Sequence, residues 1–522
     1  MALGFLLLAI VLRWPAYLYS VINADEGSYM VVAEAWVRHG FWPYVEVWDR
    51  KPLGIFLIYA AVIKSGIEPI LGVRLLTSAV VGLTGWTLYC IGRYLFASKR
   101  IGACAGLAYV LLSMTTDGLA ANTDAYFIFF GCLGLYFALV AYDTPDSARQ
   151  WPLFALAGLA FGLGLLVKYC LIFDMAAFAL GWLLLTTPTW RALPGQLRRS
   201  LPLYGLIGLC ALAPTLLIML VYALAGQFDA FASANLRSYP DMLGGELPLF
   251  NIGVIIVAIA DQFPLWIGAA MALLGARAWA GNGQERRAIV FLVLWAGFAF
   301  AAIVFMRNYD WHCFLQLLPP LSLLAGFALG RGLLAPLRGR GRQAAVLTTV
   351  ALFALLGVAK ATYLHAVFIT KERLTDGEPL AGDNVALIAR DLGAVLAAGD
   401  TLYVFDHHHM LYHKLGVMPP TRLAYAWYLV GEDAYGLLDA KAEIARILAQ
   451  QPTFIVVGAG THAQLDAAQP DADPVTQRVL AALASEYRLW RSYPEHRLAA
   501  MLPFARIDVG NGFAAVYAKD MP

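Results

Sequence analysis

The sequence predicts a polytopic α-helical membrane protein with about 11 transmembrane helices, followed by a soluble C-terminal α/β domain. Of its 522 residues, 60% are hydrophobic and only 14% are charged, whereas soluble domains carry about 25% charged residues. Apolar runs of about 20 residues, the length that crosses a bilayer, recur through roughly the first 370 positions. A net charge of +2 gives no reason to expect a nucleic-acid partner.

The predicted spans follow one another closely up to residue 368. The first has no small-residue cleavage site after it, so we expect a retained span rather than a signal peptide. The apolar stretch 152–187 is too long for one helix, and we split it into two spans that turn around Lys168. The eleven spans cover approximately residues 2–22, 70–92, 101–115, 125–142, the two halves of 152–187, 201–224, 251–275, 288–305, 313–330 and 344–364.

The positions of lysine and arginine predict the orientation of these spans. With a cytoplasmic N-terminus, the arginine clusters after spans two, six, eight and ten all fall inside, as the positive-inside rule requires. The segment LGIFLIYAAVI (53–63) has only about 11 apolar residues, so we predict a short helix at the outer interface. The first outer loop then covers residues 23–69, within the predicted membrane domain 1–368.

Residues 369–522 have a different character and predict an extracytoplasmic α/β domain. The short apolar runs LYVFD (402–406) and FIVVGAG (454–460) are typical of strands, and segments with helical periodicity surround them. Gly458-Ala459-Gly460 lacks the third glycine of a dinucleotide fingerprint and a following helix start, so we interpret it as a turn. The closing run FARIDVGNGFAAVYAKD predicts a hairpin around residues 510–512.

Three carboxylates stand out at the predicted outer face. Asp25 and Glu26 follow the first span directly, and Asp124 begins the fourth. Carboxylates at the membrane face need partners or water, and ordinary solvation of a helix end would explain each of them separately. Because Asp124 emerges on the same side, the three could instead form one interfacial site. One carboxylate could then serve as a general base on an acceptor, and another could orient that acceptor.

Five cationic or titratable side chains are predicted on the same side: Arg50, Lys51, Lys168, Arg307 and His312. Each one alone could be an interfacial anchor. Together they suit a substrate with a phosphate head and a lipid tail, because cations stabilise a departing phosphate as its charge grows. Pro52 fixes its own backbone angle and restricts Lys51 as well.

Metal binding is possible on composition but not favoured. The tract DHHHMLYH (406–413) has four histidines, yet it lies at a strand end without paired cysteines or a spacing typical of zinc ligands. The six cysteines lie in or beside apolar segments without a CxxC pair, which favours small buried residues. We therefore expect no cofactor.

Several motifs together resemble the GT-C membrane glycosyltransferases of the protein O-mannosyltransferase-like superfamily. The nearest resemblance is to the bacterial branch that includes the lipid A aminoarabinose transferases. The motifs, in order, are ADEGSY, DRKPLG, NTDA, GLGLLVK, HCFLQLLPPLSLLAG, and GDTLYVFD followed by LGVMPPTRLAY. Each motif is weak alone, but their order and common predicted side are specific, and they extend over nearly the whole chain.

The resemblance implies a polyprenyl-phosphate-linked sugar as donor and a transfer outside the cytoplasm, usually with inversion. Asp25 then matches the catalytic acidic position, with Glu26 completing the pair and Asp124 matching the second-loop aspartate. Lys51 matches the lysine of a KPPL-type motif that meets the donor phosphate, although Leu53 replaces its second proline. Arg307 and His312 are looser matches.

The predicted function is therefore transfer of a sugar to an extracytoplasmic lipid, glycan or protein in a bacterial inner membrane, with the site facing the periplasm. Two alternatives belong to other classes. A transporter or flippase for lipid-linked sugars should carry charges within its spans. The predicted spans here are mostly free of charged residues, and Asp174 and Asp261 are the exceptions. A non-catalytic envelope assembly protein would not need the carboxylates.

Overall fold

The computed structural model describes ten ranges of the chain and the single residue 348. The ranges are residues 1–115, 117–144, 147–187, 189–238, 249–305, 309–333, 361–429, 438–467, 472–496 and 512–519. The segment before the predicted hairpin turn at 510–512 and most of the predicted eleventh span lie outside the described residues.

Helices account for most of the described chain. In order, the first ten are α1 (Ala2–Leu12), α2 (Ala24–His39), α3 (Leu53–Lys64), α4 (Pro69–Phe96), α5 (Lys99–Leu112), α6 (Thr123–Tyr142), α7 (Ser147–Leu165), α8 (Leu171–Thr186), α9 (Leu193–Leu224) and α10 (Phe228–Ala232). The later helices are Leu249–Asp261, Phe263–Trp279, Gly283–Phe305, Leu318–Phe327, Ala361–Thr375, Asn384–Gly393, Met410–Leu415, Ala440–Ala449, Ala459–Ala467 and Pro474–Glu486. The strands are β1 (Leu402–Val404), β2 (Phe454–Gly458), β3 (Arg488–Tyr493) and β4 (Ala514–Ala518).

Among the described residues, five helices are long and apolar enough to cross a membrane, or six if one bent pair counts as a span. The five are Pro69–Phe96, Thr123–Tyr142, Leu193–Leu224, Gly283–Phe305 and Trp311–Gly332. Three further apolar helices, including α1 and α8, are shorter. The chain is therefore built around several membrane helices, and the number eleven stays a prediction.

The predicted turn around Lys168 is confirmed. Helix α7 ends at Leu165 and α8 begins at Leu171, so the lysine lies in the short connection. The predicted eighth span, about 251–275, coincides with two helices, Ile252–Asp261 and Phe263–Trp279, and the chain bends by 80° between them. Pro264 in the first turn of the second helix has no N–H to continue the preceding helix.

The stretch 23–69, predicted to connect the first two spans on the outer side, is mostly helical. The short helix predicted at 53–63 is confirmed as α3, whereas α2 already begins at Ala24 and contains Asp25 and Glu26. Asn23 caps α2, and Gly40 ends it in a left-handed conformation. Local capping signals therefore set the two ends of α2.

The chain divides into two compact units. The first consists of Met1–Trp14, Arg74–Gly226 and Met242–Val358, and the second of Pro15–Val73, Gln227–Asp241 and Ala359–Pro522. The second unit thus joins the 23–69 stretch to the C-terminal part of the chain. The predicted boundary between a membrane domain, residues 1–368, and an extracytoplasmic domain, residues 369–522, stays a prediction.

The first unit is a bundle in which small residues bring membrane helices close together. Gly102 and Gly106 of α5 are four residues apart on one face, and a Cβ at either position would collide with a carbonyl oxygen of α4. Small residues at this spacing let helix backbones approach in a membrane. In contrast, only 11% of the most apolar 18-residue stretch of α9 is buried. This stretch is therefore exposed where it can contact lipid.

The second unit contains a four-stranded mixed sheet in the order β1-β2-β4-β3. Strand β1 runs parallel to β2, and β4 is antiparallel to both β2 and β3. All residues of β2 and β4 are buried, which explains their continuous apolar sequences.

The interpretation of Gly458-Ala459-Gly460 as a turn was wrong. A helix begins at Ala459, directly after β2. The Asp406 carboxylate accepts hydrogen bonds from the Gly458 N–H and the Thr461 hydroxyl at this helix start. A carboxylate there occupies the position that a dinucleotide phosphate would need.

We expect Gly106→Ala to lower the thermal unfolding midpoint, because the added Cβ would collide with the Gly85 carbonyl oxygen and the Phe5 ring. The expected loss is about 1–3 kcal/mol, as for overpacking elsewhere. Gly297→Ala is the matched control, since nothing lies within 4 Å of a Cβ there. Equal midpoints for the two variants in detergent would contradict close α4–α5 packing.

Candidate functional site

The first turn of α2 presents two carboxylates in different roles. The Glu26 side chain accepts a hydrogen bond from the Ile22 N–H at 2.9 Å and is only 1% exposed. With Asn23 it forms a capping box, which satisfies N–H groups that begin the helix. Glu26 therefore holds the helix start. The capping bonds leave the neighbouring Asp25 side chain available for other contacts.

Asp25 forms an ion pair with Lys51. The Lys51 Nζ lies 2.8 Å from Asp25 Oδ2, and the two side chains are 12% and 16% exposed. The Tyr29 hydroxyl donates to the same oxygen at 3.0 Å. Burial, with the nearby Asp25 and Asp49 charges, raises the pKa of Tyr29 well above its ordinary value, so the hydroxyl keeps its proton and remains a donor. The pair combines a carboxylate and a cation that both retain some access to solvent.

Asp49 fixes the segment that carries Lys51. It is 1% exposed and accepts hydrogen bonds from the Ser28 hydroxyl, the Lys51 N–H at 3.0 Å and the Tyr428 hydroxyl at 3.3 Å. Burial raises the pKa of Asp49, while the Lys51 charge and the Ser28 hydrogen bond oppose this. The sequence prediction did not include Asp49, although its place beside Arg50, Lys51 and Pro52 was a signal.

The segment 48–51 is also held by the C-terminal part of the chain. Trp48 forms backbone hydrogen bonds with Arg422 and Ala424, at 2.6 and 3.1 Å, so the two segments pair like short strands. The Trp48 ring packs edge-on against Tyr428. The DRKPLG and PPTRLAY motifs, far apart in sequence, are therefore neighbours in the second unit.

The histidine tract packs against α2. A Cβ at Gly27 would lie 2.9 Å from His409 Cδ2 and 2.9 Å from the Met410 nitrogen, so only glycine permits this approach. His413 Nδ1 lies 2.8 Å from a Glu34 oxygen on the same helix. Burial and the adjacent His408 lower the pKa of His409 to about 3, so its imidazole is neutral near pH 7. The tract thus supports the helix that carries Asp25.

A second ion pair lies in the first unit. The Lys168 Nζ is 3.0 Å from each carboxylate oxygen of Asp124, which is fully buried, whereas the lysine side chain is 16% exposed. Asp124 lies in the first turn of α6, where the helix dipole favours a negative charge. Lys168 lies in the α7–α8 connection. The connection brings the ammonium to the start of α6.

Two neighbouring residues complete this cluster. His312 Nε2 lies 3.8 Å from Asp124 Oδ2, and Cys313 Sγ lies 3.6 Å from Lys168 Nζ. Both are buried in the 3₁₀ segment Trp311–Leu317. Of the other predicted cations, Arg50 is partly exposed, and Arg307 lies outside the described residues.

Each unit therefore has its own carboxylate–ammonium pair with hydrogen-bonding neighbours. The two pairs account for Asp25, Lys51, Asp124 and Lys168 among the predicted site residues. In the described ranges, no group of three or more His, Cys, Asp or Glu side chains is arranged to hold a metal ion. Chemically, the pairs offer partly exposed ammonium groups for an anion and a partly exposed carboxylate for a hydroxyl or amine.

Comparison with known proteins points to membrane glycosyltransferases. Residues 50–218 match the family model described as dolichyl-phosphate-mannose-protein mannosyltransferase. An undecaprenyl phosphate-alpha-4-amino-4-deoxy-L-arabinose arabinosyl transferase of Pseudomonas aeruginosa (strain UCBPP-PA14) is 28% identical over 367 residues. That alignment covers 66% of this chain and 63% of the relative, so the chain spans less than two thirds of the relative's length.

Solved structures show the same fold. The structure of ArnT from Cupriavidus metallidurans bound to undecaprenyl phosphate superimposes with a TM-score of 0.61 and 17% identity, covering 98% of this chain and 97% of that one. An Archaeoglobus fulgidus oligosaccharyltransferase gives 0.51 at 14% identity, covering 94% and 73%. The predicted resemblance to GT-C membrane glycosyltransferases near the aminoarabinose transferase branch is thus confirmed.

We expect Asp49→Ala to destabilise the second unit by about 2–4 kcal/mol, because it leaves the Ser28 hydroxyl and the Lys51 N–H without their acceptor. Tyr428→Phe removes the longer bond of 3.3 Å to Asp49 and should cost about 1 kcal/mol or less. Limited proteolysis and thermal unfolding measure both. A smaller effect for Asp49→Ala than for Tyr428→Phe would contradict the central place of Asp49.

We also expect stability to fall as the pH decreases below about 6.5. The folded-state pKa of His409 is depressed to about 3, so the unfolded chain binds more protons between pH 3 and 6.5. From pH 6.5 to 5 this histidine alone removes roughly 1.5 kcal/mol. His409→Gln should flatten the pH dependence of the unfolding midpoint, whereas the exposed His39→Gln should not. Identical pH profiles for wild type and His409→Gln would contradict this assignment.

Proposed function

We propose that the chain is an integral membrane glycosyltransferase that uses a polyprenyl-phosphate-linked sugar. The observation that carries the proposal is the Asp25–Lys51 pair, held by Tyr29 and Asp49 within the motifs that first suggested the family. The matches to arabinosyl and mannosyl transferases support the same reaction class. The shared fold with an undecaprenyl-phosphate-bound protein supports a prenyl phosphate as part of the donor.

In this proposal, Lys51 and Lys168 bind the donor phosphate. An ammonium group has three N–H donors. For Lys168, two of them can serve the Asp124 oxygens, and within the described residues the third has the weak acceptor Cys313 Sγ. A phosphate oxygen is a far stronger acceptor than sulfur and can replace that contact. Arg50, Arg307 and His312 are proposed to add positive charge around the leaving phosphate.

Asp25 is proposed as the general base. The acceptor oxygen or nitrogen attacks the anomeric carbon, the bond from that carbon to the phosphate oxygen breaks, and the phosphate leaves with the bonding electrons. Asp25 takes the acceptor proton, and attack opposite the leaving group inverts the anomeric centre. Glu26 fixes the helix turn that carries Asp25 rather than reacting itself. Asp124 holds Lys168 in place.

The proposed location is a bacterial inner membrane, with about eleven spans and the reaction on the periplasmic side. The arginine-rich loops support this orientation. A 4-amino-4-deoxy-L-arabinose donor linked to undecaprenyl phosphate is the first donor to test, because the relatives are named for it. The acceptor stays open among lipid, glycan and protein.

Asp25→Asn should reduce glycan product about 100-fold or more, since an amide cannot accept the proton. Glu46→Gln is the matched control, because Glu46 is an exposed carboxylate in the same stretch. We would express each variant in a deletion strain and measure envelope lipids and glycans by mass spectrometry, with membrane levels of the protein compared.

Unchanged product from Asp25→Asn at normal protein levels would remove the general-base role. A deletion strain with unchanged envelope lipids and glycans, together with transport of a lipid-linked sugar by the purified protein, would instead favour the flippase alternative. Either result is independent of the fold.

A further inference from the structure

Asp174 is a buried carboxylate that the proposed reaction does not use. It is 4% exposed and lies in the first turn of α8, six residues after Lys168. Its surroundings are mainly apolar, including Phe127, Leu171 and Phe178. The adjoining cavity holds only about 10 Å³, room for a single water molecule at most. Protein groups must therefore replace the hydration of this side chain.

Two neutral donors perform this task within the described part of the chain. The Trp295 indole N–H donates to Asp174 Oδ1 at 2.6 Å, and the Gln316 amide donates to Oδ2. Trp295 belongs to the membrane helix Gly283–Phe305, and Gln316 to the 3₁₀ segment Trp311–Leu317. One carboxylate thus ties α8 to two other elements. In surroundings of low dielectric such hydrogen bonds are strong and directional.

The Gln316 end of this bridge leads directly to the Asp124–Lys168 cluster. Gln316 follows His312 by four residues in the same short segment. That segment presents His312 Nε2 at 3.8 Å from Asp124 and Cys313 Sγ at 3.6 Å from Lys168. The other end of the bridge, at Asp174, belongs to the helix that starts just after Lys168. The Asp174–Gln316 hydrogen bond therefore connects the helix that follows Lys168 to the segment that carries His312 and Cys313.

Packing alone does not require an aspartate at this position. A leucine, which has the same branched skeleton with methyl groups in place of the oxygens, would avoid the cost of removing a carboxylate from water. Ionisable residues within membrane helices are expensive and are associated with function. The Trp295 bond is expected to contribute only to stability, because the contacts of Trp295 among the described residues are with Asp174, Phe178 and Phe291 and not with the cluster. The two arms of the bridge can therefore be separated by experiment.

We propose that Asp174 is a positioning residue that sets the geometry of the Lys168 and His312 side chains through Gln316. The inference rests on the proposed function, because it assigns phosphate binding to that cluster. It predicts that the Gln316 arm controls binding of the lipid phosphate and the rate of transfer, whereas the Trp295 arm does not.

The test compares Gln316→Leu with Trp295→Phe in the full-length protein in lipid nanodiscs. Undecaprenyl phosphate is the binding probe, and thermal unfolding measures stability. We expect Gln316→Leu to raise the Kd for undecaprenyl phosphate about five-fold or more and to lower the transfer rate about ten-fold. Trp295→Phe keeps the ring contacts with Phe178 and Phe291 and should change both by about two-fold or less.

A rescue pair completes the test. Asp174→Asn can keep the bridge, because the Gln316 amide can rotate and accept from the new amide while the Trp295 N–H still has an oxygen to bind. Asp174→Leu cannot. Binding should therefore be near normal in Asp174→Asn and weakened in Asp174→Leu. The positioning role would be overturned if binding and transfer in all four variants decreased only in proportion to the fall in the unfolding midpoint. Normal binding of undecaprenyl phosphate by Gln316→Leu would also overturn it.

The proposed function and this inference fail separately. A wild-type protein that binds undecaprenyl phosphate but transfers no sugar would overturn the former, and the Kd comparison would still decide the latter. A wild-type protein that binds no undecaprenyl phosphate would overturn both.

Discussion

The ion pair between Lys51 and Asp25 requires two separate segments to be held in fixed positions. Both charges have little access to water, so each must be held where the other can neutralise it. The helix start capped by Asn23 and Glu26 fixes Asp25. The backbone of Lys51 is fixed separately, by Asp49 and by the Tyr44 hydroxyl, which donates to the Lys51 carbonyl at 2.8 Å. Losing one charge of such a pair costs about 3–5 kcal/mol when the other stays buried.

The same constraint applies in the first unit with different means. Asp124 is fully buried and is neutralised by an ammonium group from the α7–α8 connection. Asp174 has neutral donors instead, and therefore depends on the positions of two other elements. In both cases a buried carboxylate needs a partner close by, and the partner restrains the positions of the elements that carry the two groups. In the proposed reaction, such restraints keep the side chains in place for a charged substrate without reorganisation.

The C-terminal part of the chain contributes to the geometry around Asp25 and Lys51. Its residues 422–428 pair with Trp48 and contact Asp49, and His409 fits against Gly27. The buried histidines His407 and His409, whose pKa values are lowered by burial, link the stability of this region to pH. The histidine tract that suggested a metal site by composition is, in the described structure, a packing surface for α2.

Local patterns in the sequence predicted several of the apolar helices, the turn at Lys168, the strands β1 and β2, and the charged residues Asp25, Lys51 and Asp124 as candidates. Hydrophobic length, charge and capping residues act over a few positions, so they can be recognised without a fold. Tertiary structure alone decided which side chains form ion pairs and hydrogen bonds. These are Asp25 with Lys51, Asp124 with Lys168, Asp49 with Ser28 and Tyr428, and Asp174 with Gln316. These contacts join residues up to 379 positions apart. Which distant groups meet depends on how whole helices pack, and no local pattern encodes that.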